Sequence, residues 1–169
     1  MRQKLSFLLL FSLFLAACAP QSLPAVTPSP LTLEDCALTS PLGEQMDARC
    51  GTFSVPEDRA NPAGRQIALN LAVIPAIKRS PQPDALFLLA GGPGQSAVEA
   101  FPAMLPMLYN IHQDRDIVLV DQRGTGESNP LRCLGEEDDT LTNEQVLEKL
   151  KTCPERLDAD LRFYTTEIA

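Results

Sequence analysis

Two glycine-bearing turns hold the residues of this 169-residue sequence whose spacing suits chemistry. The first is Ala90-Gly91-Gly92-Pro93-Gly94-Gln95-Ser96, placed after the apolar run Ala85-Leu86-Phe87-Leu88-Leu89 and before residues at helical spacing. Glycines let backbone N–H groups come close to a ligand, and a helix start leaves donors unpaired, so this turn reads as an anion cradle. One anion to consider is a dinucleotide pyrophosphate, because Gly92 to Ala97 formally fits G-x-G-x-x-A. Pro93 has no N–H to offer, and the motif follows what counts as a third strand, so that reading is the weaker one. The other anion is the oxyanion of an acyl-transfer intermediate. The second turn, Asp121-Gln122-Arg123-Gly124-Thr125-Gly126-Glu127-Ser128, follows the apolar run Ile117-Val118-Leu119-Val120, one helical segment further along.

Taken together, the two turns resemble the prolyl and tripeptidyl aminopeptidase branch of the α/β-hydrolase fold, whose members carry (H/A)GGPG after one strand and DQRGxGxS after the next. The resemblance runs from about Cys50 to Ala169, and Phe163-Tyr164-Thr165-Thr166 is similar to the family's approach to the nucleophile strand. It implies that the loop of Gly91, Gly92, Pro93 and Gly94 supplies one backbone donor to an oxyanion hole, with Gly92 as the donor, and that the second comes from the residue after the nucleophile. It also implies a supporting loop of Asp121, Gln122, Arg123, Gly124, Gly126 and Ser128, in which Asp121 and Arg123 brace strand ends and carry no protons. Ala90 stands where the family commonly has His, which removes a side-chain hydrogen bond and leaves the backbone donors in place.

No catalytic residue is expected within the chain. The nucleophile of this fold sits in G-x-S-x-G, and no such pentapeptide occurs. In the near misses Gly94-Gln95-Ser96 and Gly126-Glu127-Ser128, the second glycine is replaced by Val98 and Pro130. Ser96 is expected as a helix N-cap and Ser128 as a loop-bracing hydroxyl. The single histidine, His112, precedes the Ile117 run, whereas this fold takes its His after the nucleophile. The reading is therefore the front part of a hydrolase, ending before its nucleophile and inactive alone. The alternative is a non-catalytic lipoprotein that binds a partner, or a complementing carboxy-terminal half, through an open sheet edge.

These turns need strands and helices to hold them. The expected class is α/β, the amino-terminal part of an α/β-hydrolase fold with an antiparallel hairpin, then parallel strands with crossover helices, and an incomplete sheet. Gly51 to Val55 is a short strand candidate, and 65–77 alternates with period two, placing Ile67, Leu69, Leu71 and Val73 on one face. Asn61-Pro62 and Gly64 mark the turn between them. The runs 85–89 and 117–120 are continuously apolar, as for parallel strands covered on both faces. Between them, 96–109 has helical spacing, with Pro102 and Pro106 limiting or kinking the helix. Thr142-Asn143-Glu144-Gln145 has the form of a capping box, opening a helix whose apolar face is Val146, Leu147 and Leu150; Leu157 and Leu161 suggest a further helix after Pro154.

The amino terminus adds an address. Arg2 and Lys4 precede an apolar stretch from Leu5 to Ala17, and Leu15-Ala16-Ala17-Cys18 resembles a bacterial lipobox with Cys18 as the lipidated residue. The expected layout is a lipoprotein signal peptide over 1–17, a Pro-rich tether over 18–32 and a partial α/β-hydrolase domain over 33–169, exported and anchored to a bacterial membrane of the cell envelope. The apolar run is too short for a bilayer-spanning helix, which needs roughly 20 residues. Four further cysteines are even in number, as suits an exported chain, and proximity pairs Cys36 with Cys50 and Cys133 with Cys153. With no CxxC and no Cys/His cluster, neither a metal nor another cofactor is called for. The formal charge of −8 and 5% aromatic content disfavour nucleic acid as a partner. The expected partners are the membrane, through the lipid, and a peptide substrate for the complete enzyme.

Overall fold

The structure, a computed structural model, describes residues 31–40, 43–92, 94–135 and 138–168. The signal peptide, Cys18 and nearly all of the tether lie outside the described residues, as do Pro41, Pro93 and the Glu136-Glu137 pair. Five strands form one mixed, open sheet: β1 (Glu34–Thr39), β2 (Gln45–Pro56), β3 (Gln66–Ile74), β4 (Leu86–Leu88) and β5 (Ile117–Val120), in the spatial order β1-β2-β3-β5-β4. Strands β1, β2, β3 and β5 pair antiparallel in that succession, and β4 lies parallel to β5.

The hairpin of β2 and β3 places Pro56 opposite Gln66, and its turn closes where the Glu57 N–H donates to the Arg65 carbonyl at 2.9 Å. Between Cys36 and Cys50 the chain makes a second hairpin. There β1 pairs with the first half of β2, Glu34 opposite Cys50, and the Ser40 N–H donates to the Glu44 carbonyl at 2.8 Å, with Gly43 at φ 85°. The sequence hides β1 because only Cys36 and Leu38 mark its inward face, between charged and polar residues. The Cys36–Cys50 disulfide spans this hairpin with Cα atoms 5.9 Å apart, and a Cys133–Cys153 disulfide, at 5.4 Å, ties the chain after β5 to the end of the last helix.

The segment between β4 and β5 is not one helix. It runs as α1 (Ala97–Ala100), a 3₁₀ stretch (Phe101–Leu108) and α2 (Tyr109–His112). Pro106 has no N–H to give the carbonyl of Pro102, and its ring crowds that carbonyl, so the α ladder cannot pass through. This crossover covers one face of the sheet, where Ala72, Ile74, Ile117 and Leu119 pack with Ala97 and Leu105. The other face is covered only in part: Ile67 and Leu71 are buried and residues 32–33 lie against Gly51, but Val118 and Val120 are only half-buried and Phe87 is 63% exposed. The expectation of strands covered on both faces fails for this reason.

The last α-helix, α3 (Asn143–Thr152), opens on the expected capping box. Thr142 Oγ1 accepts from the Gln145 N–H at 3.4 Å, and Gln145 Oε1 accepts from the Thr142 N–H at 2.9 Å. Its apolar positions Leu147 and Leu150 are exposed. Beyond Pro154 the chain makes only two short 3₁₀ turns, Cys153–Glu155 and Leu161–Phe163, so Leu157 and Leu161 share no α-helix.

Candidate functional site

Both glycine turns lie at the same end of the sheet, because β4 and β5 are parallel and each turn follows its strand's carboxyl end. Gly92 and Gly94 have φ of 127° and 90°, conformations that L side chains rarely adopt, and Gly91, Gly92 and Gly94 are all exposed. A cleft of about 460 Å³ opens between the turns, lined by Gly91, Gly92, Gly94, Gln122, Arg123, Gly124, Thr125, Leu131, Tyr164 and Thr166.

The Asp121 side chain ties the two turns together. It is 1% exposed. Oδ1 accepts from Ser96 Oγ at 2.8 Å and from the Val98 N–H at 3.1 Å; Oδ2 accepts from Asn70 Nδ2 at 2.9 Å and from the Glu127 N–H at 3.3 Å. Gly126 must be glycine here, since a Cβ on it would stand 2.1 Å from Asp121 Oδ2. Ser128 Oγ donates to the Asp121 carbonyl and accepts from the Asn70 N–H, both at 2.7 Å, fastening the loop to β3.

Arg123 is buried and bonds to carbonyl oxygens: Nη1 donates to Glu57 at 2.8 Å and to Phe163 at 3.2 Å. Burial pushes its guanidinium below the ordinary value, and nearby Arg59 acts in the same direction. A second network lies behind it. Tyr164 Oη donates to Glu57 Oε1 at 2.9 Å and accepts from Asn129 Nδ2 at 2.7 Å, while the Asp160 N–H also reaches Glu57 Oε1 at 3.1 Å. These bonds hold the chain after α3 against the β2–β3 turn, with Tyr164 in the cleft wall.

Burial, followed by the bond to Glu57, pushes the Tyr164 phenol from 10.0 up to about 12. Below the unfolded value neither state ionises, and stability ignores this group. As pH rises from there to the folded value, only the unfolded chain loses the proton, so stability falls. After a discount for partial exposure, the loss is on the order of 2 kcal/mol. Urea midpoints measured from neutral to strongly alkaline pH should show this decline in the native sequence and lose it in Tyr164→Phe; an equal decline in both would assign it elsewhere.

Neither Ser96 nor Ser128 has a hydroxyl free for attack. Ser96 Oγ, while donating to Asp121, accepts from the Glu99 N–H at 3.1 Å as the α1 N-cap, and Ser128 Oγ is held as described. His112 ends α2 with Nε2 2.9 Å from the Pro75 carbonyl, beside Ile74 and Ile117. That is the opposite end of the sheet from Ser96 and Ser128. The geometry thus brings together the supporting loop and the described glycines of the first turn. Sequence reasoning missed Asn70 and Glu57. Asn70 carries a signal in retrospect, as a polar residue between Ala68 and Ala72 on the face of β3 that packs against the crossover.

No family model matches the chain. Over 89 residues, 51% of its length, it is 43% identical to Carboxylesterase B of Mycobacterium tuberculosis. Over 106 residues, 60% of its length, it is 37% identical to the Tripeptidyl aminopeptidase of Streptomyces lividans. These similarities, over about half of the chain, are consistent with a partial α/β-hydrolase of the tripeptidyl aminopeptidase-like kind. The matches span 17% and 19% of those two hydrolases, so the chain covers under a fifth of either relative.

Proposed function

We propose that the chain forms the oxyanion-loop part of an exported, lipid-anchored serine hydrolase that releases residues from peptide amino termini. The observation that carries this reading is the Gly91–Gly94 turn, open to the cleft beside the Asp121–Ser128 loop at the carboxyl ends of two parallel strands. In this reading the glycine turn stabilises the charge that develops on the scissile carbonyl oxygen. A serine in G-x-S-x-G, carried by polypeptide beyond this sequence, attacks the carbonyl with His as base. The Tripeptidyl aminopeptidase relative favours peptide substrates, and the Carboxylesterase B relative favours esters. Cys18 would take the lipid, and 18–32 would hold the domain off the membrane.

The test is an assay of tripeptidyl anilide and short-chain ester substrates, on this chain alone and together with the polypeptide encoded downstream. The chain alone is expected to be silent, and the combination to cleave the anilide faster than the ester. Turnover by the isolated chain that Ser96→Ala or Ser128→Ala abolishes would sink the assignment. A palmitate analogue should label the native sequence and leave Cys18→Ala unlabelled.

A further inference from the structure

We infer that Ser96, acting through Asp121, is the positioning residue that sets the conformation of the glycine turn, with Asn70 as its support from β3. This rests on reading the turn as the oxyanion loop and names what holds its donors in place.

The turn has little to lean on. A Cβ built on Gly91 or Gly94 meets nothing within 4 Å, one on Gly92 meets only Gln95 and Gly94 of the same stretch, and all three described glycines are exposed. Its conformation must therefore come from its two ends. The leading end is β4, an edge strand of three residues laddered to β5 alone. The trailing end is Ser96, two residues after Gly94, and it is buried. Its hydroxyl makes two bonds with opposite roles, donating to Asp121 Oδ1 at 2.8 Å and accepting from the Glu99 N–H at 3.1 Å. Val98 N–H adds a second link to the same carboxylate oxygen at 3.1 Å.

The carboxylate is held in its turn. Asn70 Nδ2 donates to Oδ2 at 2.9 Å, and Asn70 sits in β3 beside β5, where its own N–H is fixed by Ser128 Oγ. A continuous path of hydrogen bonds thus leads from the middle of the sheet, through Asp121, to the residue that ends the turn. Preorganised donors stabilise developing charge only if they need not reorganise during reaction, so a path of this kind is what an oxyanion loop with exposed glycines requires.

The test reads the turn and does not depend on hydrolysis. Backbone amide relaxation by NMR should give Gly91, Gly92 and Gly94 order parameters near those of rigid backbone, about 0.85, in the native sequence. Ser96→Ala should bring them below about 0.6 and shift their amide resonances, while α3 stays unchanged. Ser96→Thr, which keeps the hydroxyl, should restore both. Native glycines already below that lower value would overturn the inference without any variant having to fold. So would glycines that stay rigid in Ser96→Ala, or that loosen equally in Val146→Ala on α3. An inactive complete enzyme faults the hydrolase reading, whereas a turn indifferent to Ser96 faults this one.

Discussion

Gly126→Ala is expected to destabilise the protein by about 4 kcal/mol, enough to unfold a marginal domain. Two costs combine. Gly126 has φ of 50°, and an L residue forced into that region loses roughly 1 to 2 kcal/mol. The new Cβ would also lie 2.1 Å from Asp121 Oδ2 and 2.4 Å from its Cγ. That carboxylate cannot step aside, because donors from α1, β3 and the loop itself hold it. Retreat breaks two or more of those bonds at about 1 kcal/mol each, or leaves their donors buried and unpaired at higher cost. Gly43→Ala makes the comparison sharp. Its φ is 85°, yet nothing lies within 4 Å of the position, so only the conformational cost applies, about 1 kcal/mol. Urea denaturation should rank the two variants far apart with similar slopes. Equal losses would mean that backbone conformation, not the Asp121 collision, explains the glycine.

How legible this was in the sequence depended on whether a residue's neighbours are close along the chain. Period-two alternation marked β3, because one of its faces is apolar over its whole length. The capping box marked the start of α3, because both of its bonds span three residues. The cysteine couples were near in sequence and are near in space. By contrast β1 escaped, since an edge strand buries little and its outward residues are as polar as a loop. In the crossover the two prolines marked where the α ladder is limited, but spacing alone did not show that the stretch between becomes 3₁₀. The motif loops were recognisable as strings, but their wiring was not. Asn70 lies 51 residues from Asp121 and Glu57 lies 107 from Tyr164. Only the sheet topology, which folds β3 against β5 and the last segment against the β2–β3 turn, makes those contacts local.

The same wiring predicts that Asp121→Asn costs about 3 kcal/mol although it changes the side chain's volume hardly at all. The carboxylate accepts from four donors, two on each oxygen. An amide offers one oxygen and one NH2 group. If the NH2 replaces Oδ1, Ser96 can rotate its hydroxyl to accept, but the Val98 N–H is left facing a donor. If it replaces Oδ2, the Asn70 amide can turn its oxygen inward, but the Glu127 N–H is stranded. Either orientation leaves a backbone N–H without its acceptor, at about 1 to 3 kcal/mol, and weakens the charge-assisted bonds that remain. The second orientation points to a rescue. Asn70→Asp gives the new NH2 a charged acceptor, stronger than the turned amide oxygen, while Oδ1 keeps Ser96 and Val98, and Asn70 is only half-buried, so a carboxylate there retains some water. Thermal unfolding of the exchanged pair Asn70→Asp with Asp121→Asn should recover about half of the loss, a coupling far outside additivity. Asn70→Asp alone should destabilise, since it sets two carboxylates against each other. If the pair is as unstable as the sum of its parts, the count of donors around Asp121 is not what holds the two turns together.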